Sequence, residues 1–525
     1  MNISDRVKLT LLLLCITGTA AAEETIPIYE GLGTYHREIR TASETAQAYF
    51  DQGMILAYAF GRSKAVESFR ACRVADPEAA ICAWGEAWAL GPYRNGRMND
   101  EAAAEAYAAI QAAGELSEDA PEVEQALIMA MAMRYADDPS TANRKVLDQA
   151  YADAMSEVAE RFPDDPDVKV LFAESLYVRD PSYLAPDCQP YPEALEAIEV
   201  LEEVLRDDLC HAGACHLYIH AVEPSDDPGR GEACADVLAK QIPLVSHIQH
   251  MPSHIYMRIG RYGDAVRANQ QAHLVDQMSD LGKAVAIYRI HNVRMMWFAA
   301  WMDGQSFVAL EGARIVARGG KYRAFDLPQT LARFGLWEEL LETKKLPKEG
   351  VTGAVWHFAR GLAQLRTGDA RAAAMELRKL EKIHNRIDPS ARLRWNCTRS
   401  IDIVRISRGI LAGEIAAAGG DIEGAKSELR AAIKVEDEFR YSEPEIWSIP
   451  VRQVLGAILL EAGEAERAQQ VYEEELQRHP ENGWSLFGLA ESLRAQGKDT
   501  EAEAVEDRFE LAWARADILL SSSRF

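Results

Sequence analysis

The stretch YFDQGMILAYAFGRSKAVESFRACRVADP, residues 49–77, sets the reading of the whole chain. Its apolar residues fall at helical rather than alternating spacing, and Pro77 sits where a second helix should stop. Gly53, Ala65, Phe69 and Pro77 return at the same offsets as Gly456, Ala468, Tyr472 and Pro480 in LGAILLEAGEAERAQQVYEEELQRHP, residues 455–480, with Gly463 at the turn. Partial copies appear at Gly361, Gly368 and Ala373, and at Gly413, Gly420, Ala425 and Ala432. Small residues let the two helices of a hairpin cross closely, glycine supplies the turn, and proline ends the second helix.

Helix formers dominate elsewhere, as in EAAAEAYAAIQAAGEL, YPEALEAIEVLEEVL and AAAMELRKLEKI, and strand signals are scarce. The expected fold class is all-α: an irregular α-solenoid of stacked helical hairpins. These motifs resemble the tetratricopeptide repeat family, whose unit is about 34 residues. The resemblance covers most of 46–525, is best over 49–77 and 448–480, and loses register over 100–200. It implies a right-handed superhelix whose concave wall is lined by the first helix of each hairpin. The units divide into N-terminal hairpins (46–200), a histidine-rich set (201–320) and C-terminal hairpins (321–525), after an extended segment at 23–45.

Residues 1–22 read as an export signal: a weakly basic start, the apolar LTLLLLCITG and small residues near Ala22. The mature chain is expected in the periplasm or outside the cell, with no membrane-spanning segment. The net charge of −25 argues against nucleic acid or anionic lipid as partners, and no basic patch offsets it; RNGR at 94–97 is too short. In an oxidising compartment some cysteines should pair. Cys72 with Cys82 is one expected bridge, and Cys188 or Cys234 with Cys210 or Cys215 another.

Histidine carries the functional signal. Six of the 12 histidines lie between 211 and 254, where even spacing would put about one. His216 and His220 in CHLYIHAVE recur 34 residues later as His250 and His254 in HMPSHIYMR. An HxxxH spacing stacks two imidazoles on one helical face, able to grip one ion. With Gly260 as a hairpin turn, residues up to Ile259 form a first helix with Pro252 in its first turn. His247 then joins the same face, and with a turn at Gly304, His291 takes the slot of His247 and Arg294 that of His250. Arg294, Tyr256 and Arg258 are accordingly placed on the groove.

The expected centre is a four-nitrogen site of His216, His220, His250 and His254, with His247 and His291 beside it. Glu223 is assigned as a fifth ligand or as general base toward a metal-bound water or O2. Nitrogen-rich ligation suits a divalent transition metal such as Zn, Fe or Cu rather than Mg or Ca. HAGACHLYIHAVE, HMPSHIYMRIGRYGDA and ENGWSLFGLAESL together resemble exported bacterial proteins of the tetratricopeptide type, which implies a scaffold binding a protein or peptide in its groove. Convergence of the rings on one point favours the metal; separate environments for each ring favour the scaffold. His36, Glu86 and Asn95 are weaker candidates for the groove, Trp84 and Trp88 read as core, and His357 as structural. The segment 441–452 reads as a bridge between two hairpins.

Overall fold

The computed structural model describes residues 26–140, 142–179, 193–319, 325–344, 347–393 and 398–525. The export signal, Cys188 and Cys397 fall outside the described residues. Helices follow one another along the chain, and no strand forms among the described residues beyond isolated bridges such as Val245 with Val285.

The repeated glycines do what their spacing demands. Glu44–Tyr58 packs on Arg62–Ala75, and a Cβ on Gly53 would lie 2.6 Å from the Phe69 ring. Val451–Glu461 packs on Ala465–Arg478 in the same way, with a Cβ on Gly456 meeting Tyr472 at 2.5 Å. The shared offset is therefore an aromatic ring seated where a side chain is missing. The hairpin turns place Gly260, Gly304, Gly368, Gly420 and Gly463 at positive φ, between +70° and +91°. The first hairpin departs from this rule: its left-handed residue is Phe60, φ +60°.

The array curls back on itself. Trp484, in the helix Gly483–Ala495, donates through Nε1 to the carbonyl of Trp301 (3.2 Å), and Arg515 pairs with Asp303 (2.7 Å). Arg333 lies over the Trp484 ring and donates to the Arg524 carbonyl. The C-terminal hairpins thus stand beside the unit that turns at Gly304. This return carries the segment 441–450 across the histidine helices, a larger role than the expected bridge.

Trp84 and Trp88 are core, as expected. Cys72 is bonded to Cys82, while Cys210, Cys215 and Cys234 are free thiols. Cys234 is thus bonded to neither Cys210 nor Cys215, which corrects that half of the expected pairing, while the Cys188 alternatives lie outside the described residues. The Cys215 thiol is hydrogen-bonded to Cys234 and to the Leu209 carbonyl (3.1 Å). One local basic cluster also escaped the sequence reading. Lys344, Lys348, Lys379, Lys382 and Arg386 surround a cavity of about 630 Å³; they come from two separate stretches, so no run of charge announces them. No helix among the described residues is long and apolar enough to cross a membrane.

Candidate metal centre

Three successive first helices present the histidines. His216 and His220 lie one turn apart on Ala212–Val222, whose start is capped by the His211 ring accepting from the Ala214 N–H. His247, His250 and His254 lie on Ser246–His250 and Pro252–Arg258, which run nearly end to end. Pro252 opens the second of these helices, in its first turn as expected, and the preceding short helix begins at Ser246. His291 sits in the first turn of Arg289–Met302.

The histidines form two groups of three rather than one group of four. Ligand atoms of His216, His220 and His247 all lie within 4.8 Å of one another, and so do those of His250, His254 and His291. Each trio combines an HxxxH pair with the leading histidine of the next unit. Among the described residues no such group joins both HxxxH pairs, the union that the sequence reading expects. The trios adjoin, with ring centroids of His247 and His250 5.2 Å apart and those of His220 and His254 5.4 Å apart. The HxxxH rings and His247 are at most 1% exposed, so they are sealed inside the protein rather than spread along an open groove.

Every HxxxH ring is engaged at Nδ1 by an oxygen. His216 Nδ1 contacts the Tyr58 carbonyl at 2.5 Å and His250 Nδ1 the Asn269 Oδ1 at 3.3 Å. The Asn269 amide nitrogen donates to the Ala265 carbonyl, which turns its oxygen toward His250. Glu223 takes the other two: one carboxylate oxygen faces His220 Nδ1 at 2.9 Å, and the second faces His254 Nδ1. A carbonyl or carboxylate oxygen can only accept, so these contacts place the ring proton on Nδ1 and leave Nε2 with a bare lone pair. Two of those nitrogens meet, His254 Nε2 lying 3.1 Å from His250 Nε2, and His216 Nε2 lies 3.1 Å from the Nε2 of His247. His247 Nδ1 is buried with no hydrogen-bond partner among the described residues.

Burial keeps the rings neutral. It pulls His216 down to about 3 and His254 to about 4, and drives His220, His247 and His250 well below the usual imidazole range. Burial also lifts Glu223 to about 7, against the opposing pull of Arg94.

Residues far away in sequence complete the site. Arg94 approaches Glu223 at 3.3 Å, and the Tyr441 hydroxyl donates to it at 2.7 Å. Glu443 lies 3.7 Å from His254 Nδ1 and joins His220 and Glu223 in a third cluster of ligand atoms. Phe60 lies against His216, with ring centroids 4.3 Å apart, and stacks on His220 and His247; Tyr288 meets His247 edge-on at 5.0 Å. Sequence reasoning missed Arg94, Tyr441, Glu443, Phe60, Tyr288 and Asn269. None is a histidine, and only the fold brings them in.

The groove residues divide. Arg258 stays with the centre, its guanidinium donating to the carbonyls of Glu223 and Ser225 at 3.0 Å each. Tyr256 does not, because two residues along a helix turn it away from His254; its hydroxyl donates to Asp236 (2.8 Å) and its ring lies under Arg261. Arg294 is buried in an ion pair with Asp326 (2.8 Å). Among the weaker candidates, His36 contacts Asp51 at the surface, Glu86 is held by Arg70 and Arg73, and His357 pairs with Glu376. Asn95 accepts from the Arg94 guanidinium, at the edge of the centre.

No protein-family model matches the chain, and no curated protein matches it. Among solved structures it is similar to the human IFIT1 dimer with m7Gppp-AAAA (14% identity, 90% of this chain and 91% of that one, TM-score 0.30). It is also similar to yeast Tom70 (11%, 89% and 91%, TM-score 0.26) and to the Cut9 assembly with Hcn1 (10%, 90% and 77%, TM-score 0.30). These likenesses carry no inference about ligand or partner.

Proposed function

We propose that this protein is a metal-dependent enzyme built on a repeat scaffold, exported from the cell, with two neighbouring transition-metal sites of three imidazoles each. The carrying observation is the tautomer set: four histidines engaged by oxygens at Nδ1, with the bare Nε2 atoms of His250 and His254 3.1 Å apart and that of His216 3.1 Å from His247 Nε2. Two uncharged nitrogens facing each other repel unless a proton or a cation lies between them. With metal–nitrogen bonds of about 2.05 Å, a separation of 3.1 Å corresponds to an angle of about 100° at the ion, within the range of four-coordinate geometry.

Three protein ligands leave a fourth position for water, dioxygen or substrate, the arrangement of catalytic rather than structural sites. Zinc, copper or iron suits the all-imidazole donor set. Glu223 holds the rings of His220 and His254 by their Nδ1 protons and thus serves both trios at once. This reading makes it a shared positioning carboxylate, with Arg94 and Tyr441 holding it in turn. The Cys72–Cys82 bridge supports an oxidising destination. A protein-binding role for the outer helical surface fits the same scaffold and does not compete with the buried centre.

The test is elemental analysis of the processed protein after loading with Zn(II), Cu(II) or Fe(II) and extensive dialysis. Two equivalents per chain are expected, falling to one in His216→Ala or His250→Ala. Absence of any stoichiometric metal would refute the proposal.

A further inference from the structure

The sealed histidines raise a question of entry, and the structure answers it on one side. A cleft of about 660 Å³ opens beside the first trio, between the turn at 60–64 and the strand-like run 284–288. Its inner wall is Phe60, Tyr93 and Tyr288. Phe60 and Tyr288 also contact the first trio, Phe60 against His216 and His247 and Tyr288 against His247, so these two rings adjoin both the cleft and the imidazoles. Phe60 packs on Tyr93 (5.1 Å), and the Tyr93 and Tyr288 hydroxyls are 3.1 Å apart, a latch across the wall.

Backbone strain marks the same two rings. Among the described residues, positive φ outside glycine occurs at Phe60, Tyr288 and Glu481. A left-handed conformation is disfavoured at any residue with a side chain, and most at a bulky one. Equivalent turns elsewhere use glycine, so an aromatic side chain has been kept at Phe60 against the local preference.

We infer that this cleft is the small-molecule site of the metal centre and that Phe60 and Tyr288 form its gate; the inference rests on the metal reading for its purpose but not for its geometry. The lining selects the ligand class. Ala284, Val285 and Ile287 face the aromatic wall, and the two cations that line the cleft are already engaged, Arg62 by Glu174 and Lys64 by Glu67. With an aromatic wall, Ser63 and Ser279 in the remaining lining and both cations paired, a cleft of this size suits a planar, uncharged molecule carrying a polar group rather than an anion.

Two measurements on the full processed chain test this. The first needs no metal: titration of the apo protein with benzyl alcohol, benzoate and benzylamine, followed by ring-proton NMR of the probe. Binding of benzyl alcohol in preference to both charged probes, abolished by Tyr93→Ala, is expected; preference for a charged probe, or binding that survives Tyr93→Ala, overturns the assignment. The second is the rate at which a chelator strips Co(II) from the loaded protein. Phe60→Gly and the milder Tyr288→Phe, which loses only the latch, should accelerate stripping by about tenfold or more at unchanged stoichiometry. Rates unchanged in both, or raised only by Tyr441→Ala on the far side of the cluster, overturn the gate. Failure of the wild type to load Co(II) sinks the metal reading instead, and the NMR titration still decides the cleft.

Discussion

Two buried histidine environments in this molecule differ in what faces the ring. In the central units, imidazole faces imidazole, and burial holds the rings neutral. In the C-terminal hairpins, His479 lies between Glu475 (2.5 Å) and Glu445 (2.8 Å), and His357 contacts Glu376 (2.6 Å). Burial works to lower His479 too, but the two carboxylates outweigh it and raise the ring to about 10. Burial alone therefore does not distinguish a ligand from a structural histidine. The oxygen partners do: acceptors at both ring nitrogens make a charged clamp, whereas an acceptor at Nδ1 alone leaves a donor atom available.

The sharpest break of this contrast is removal of a ring from either side. His216→Ala or His254→Ala should weaken one equivalent of metal by about a thousandfold or more, measured by competition with a chromophoric chelator. His479→Gln should leave both equivalents in place. Next comes Glu223→Gln, which keeps the shape but weakens acceptance from His220 and His254. Loss of about 10- to 100-fold in affinity is expected at both sites together, and loss confined to one would show that the carboxylate does not serve both.

A smaller effect separates the environments by pH. The folded value of His479 lies above the unfolded one, so its contribution to stability is complete below about 6.5 and is lost as pH rises through about 10. His479→Gln should cost about 2 kcal/mol at pH 6, shrinking toward pH 10, in urea unfolding at fixed temperature. A cost that grows with pH would overturn the charged-clamp reading. Smallest of all, Gly463→Ala should cost about 1 kcal/mol through its positive φ without touching metal content.

The repeat signature was legible because its cause is local. Gly53 against Phe69 and Gly456 against Tyr472 are contacts within one hairpin, so a fixed offset records them. The HxxxH echo was legible for the same reason, as was the attachment of His247 and His291. The grouping into trios was not, because it depends on how far one helix stands from the next. Arg94 and Tyr441 lie 129 and 218 residues from Glu223, and no spacing rule reaches that far. Pro252 was legible for a local reason too: proline favours a first turn, and it opens the helix Pro252–Arg258.

Each trio takes two rings from one hairpin and the third from its successor. In a linear array, stability is the sum of what each repeat holds alone and what it shares with its neighbours. Any cation seated among three such rings acts as a rivet across a seam between repeats, twice in succession. Loading would then stiffen the middle of the superhelix more than its ends, and unfolding of the loaded chain would begin at the termini and halt at the riveted units.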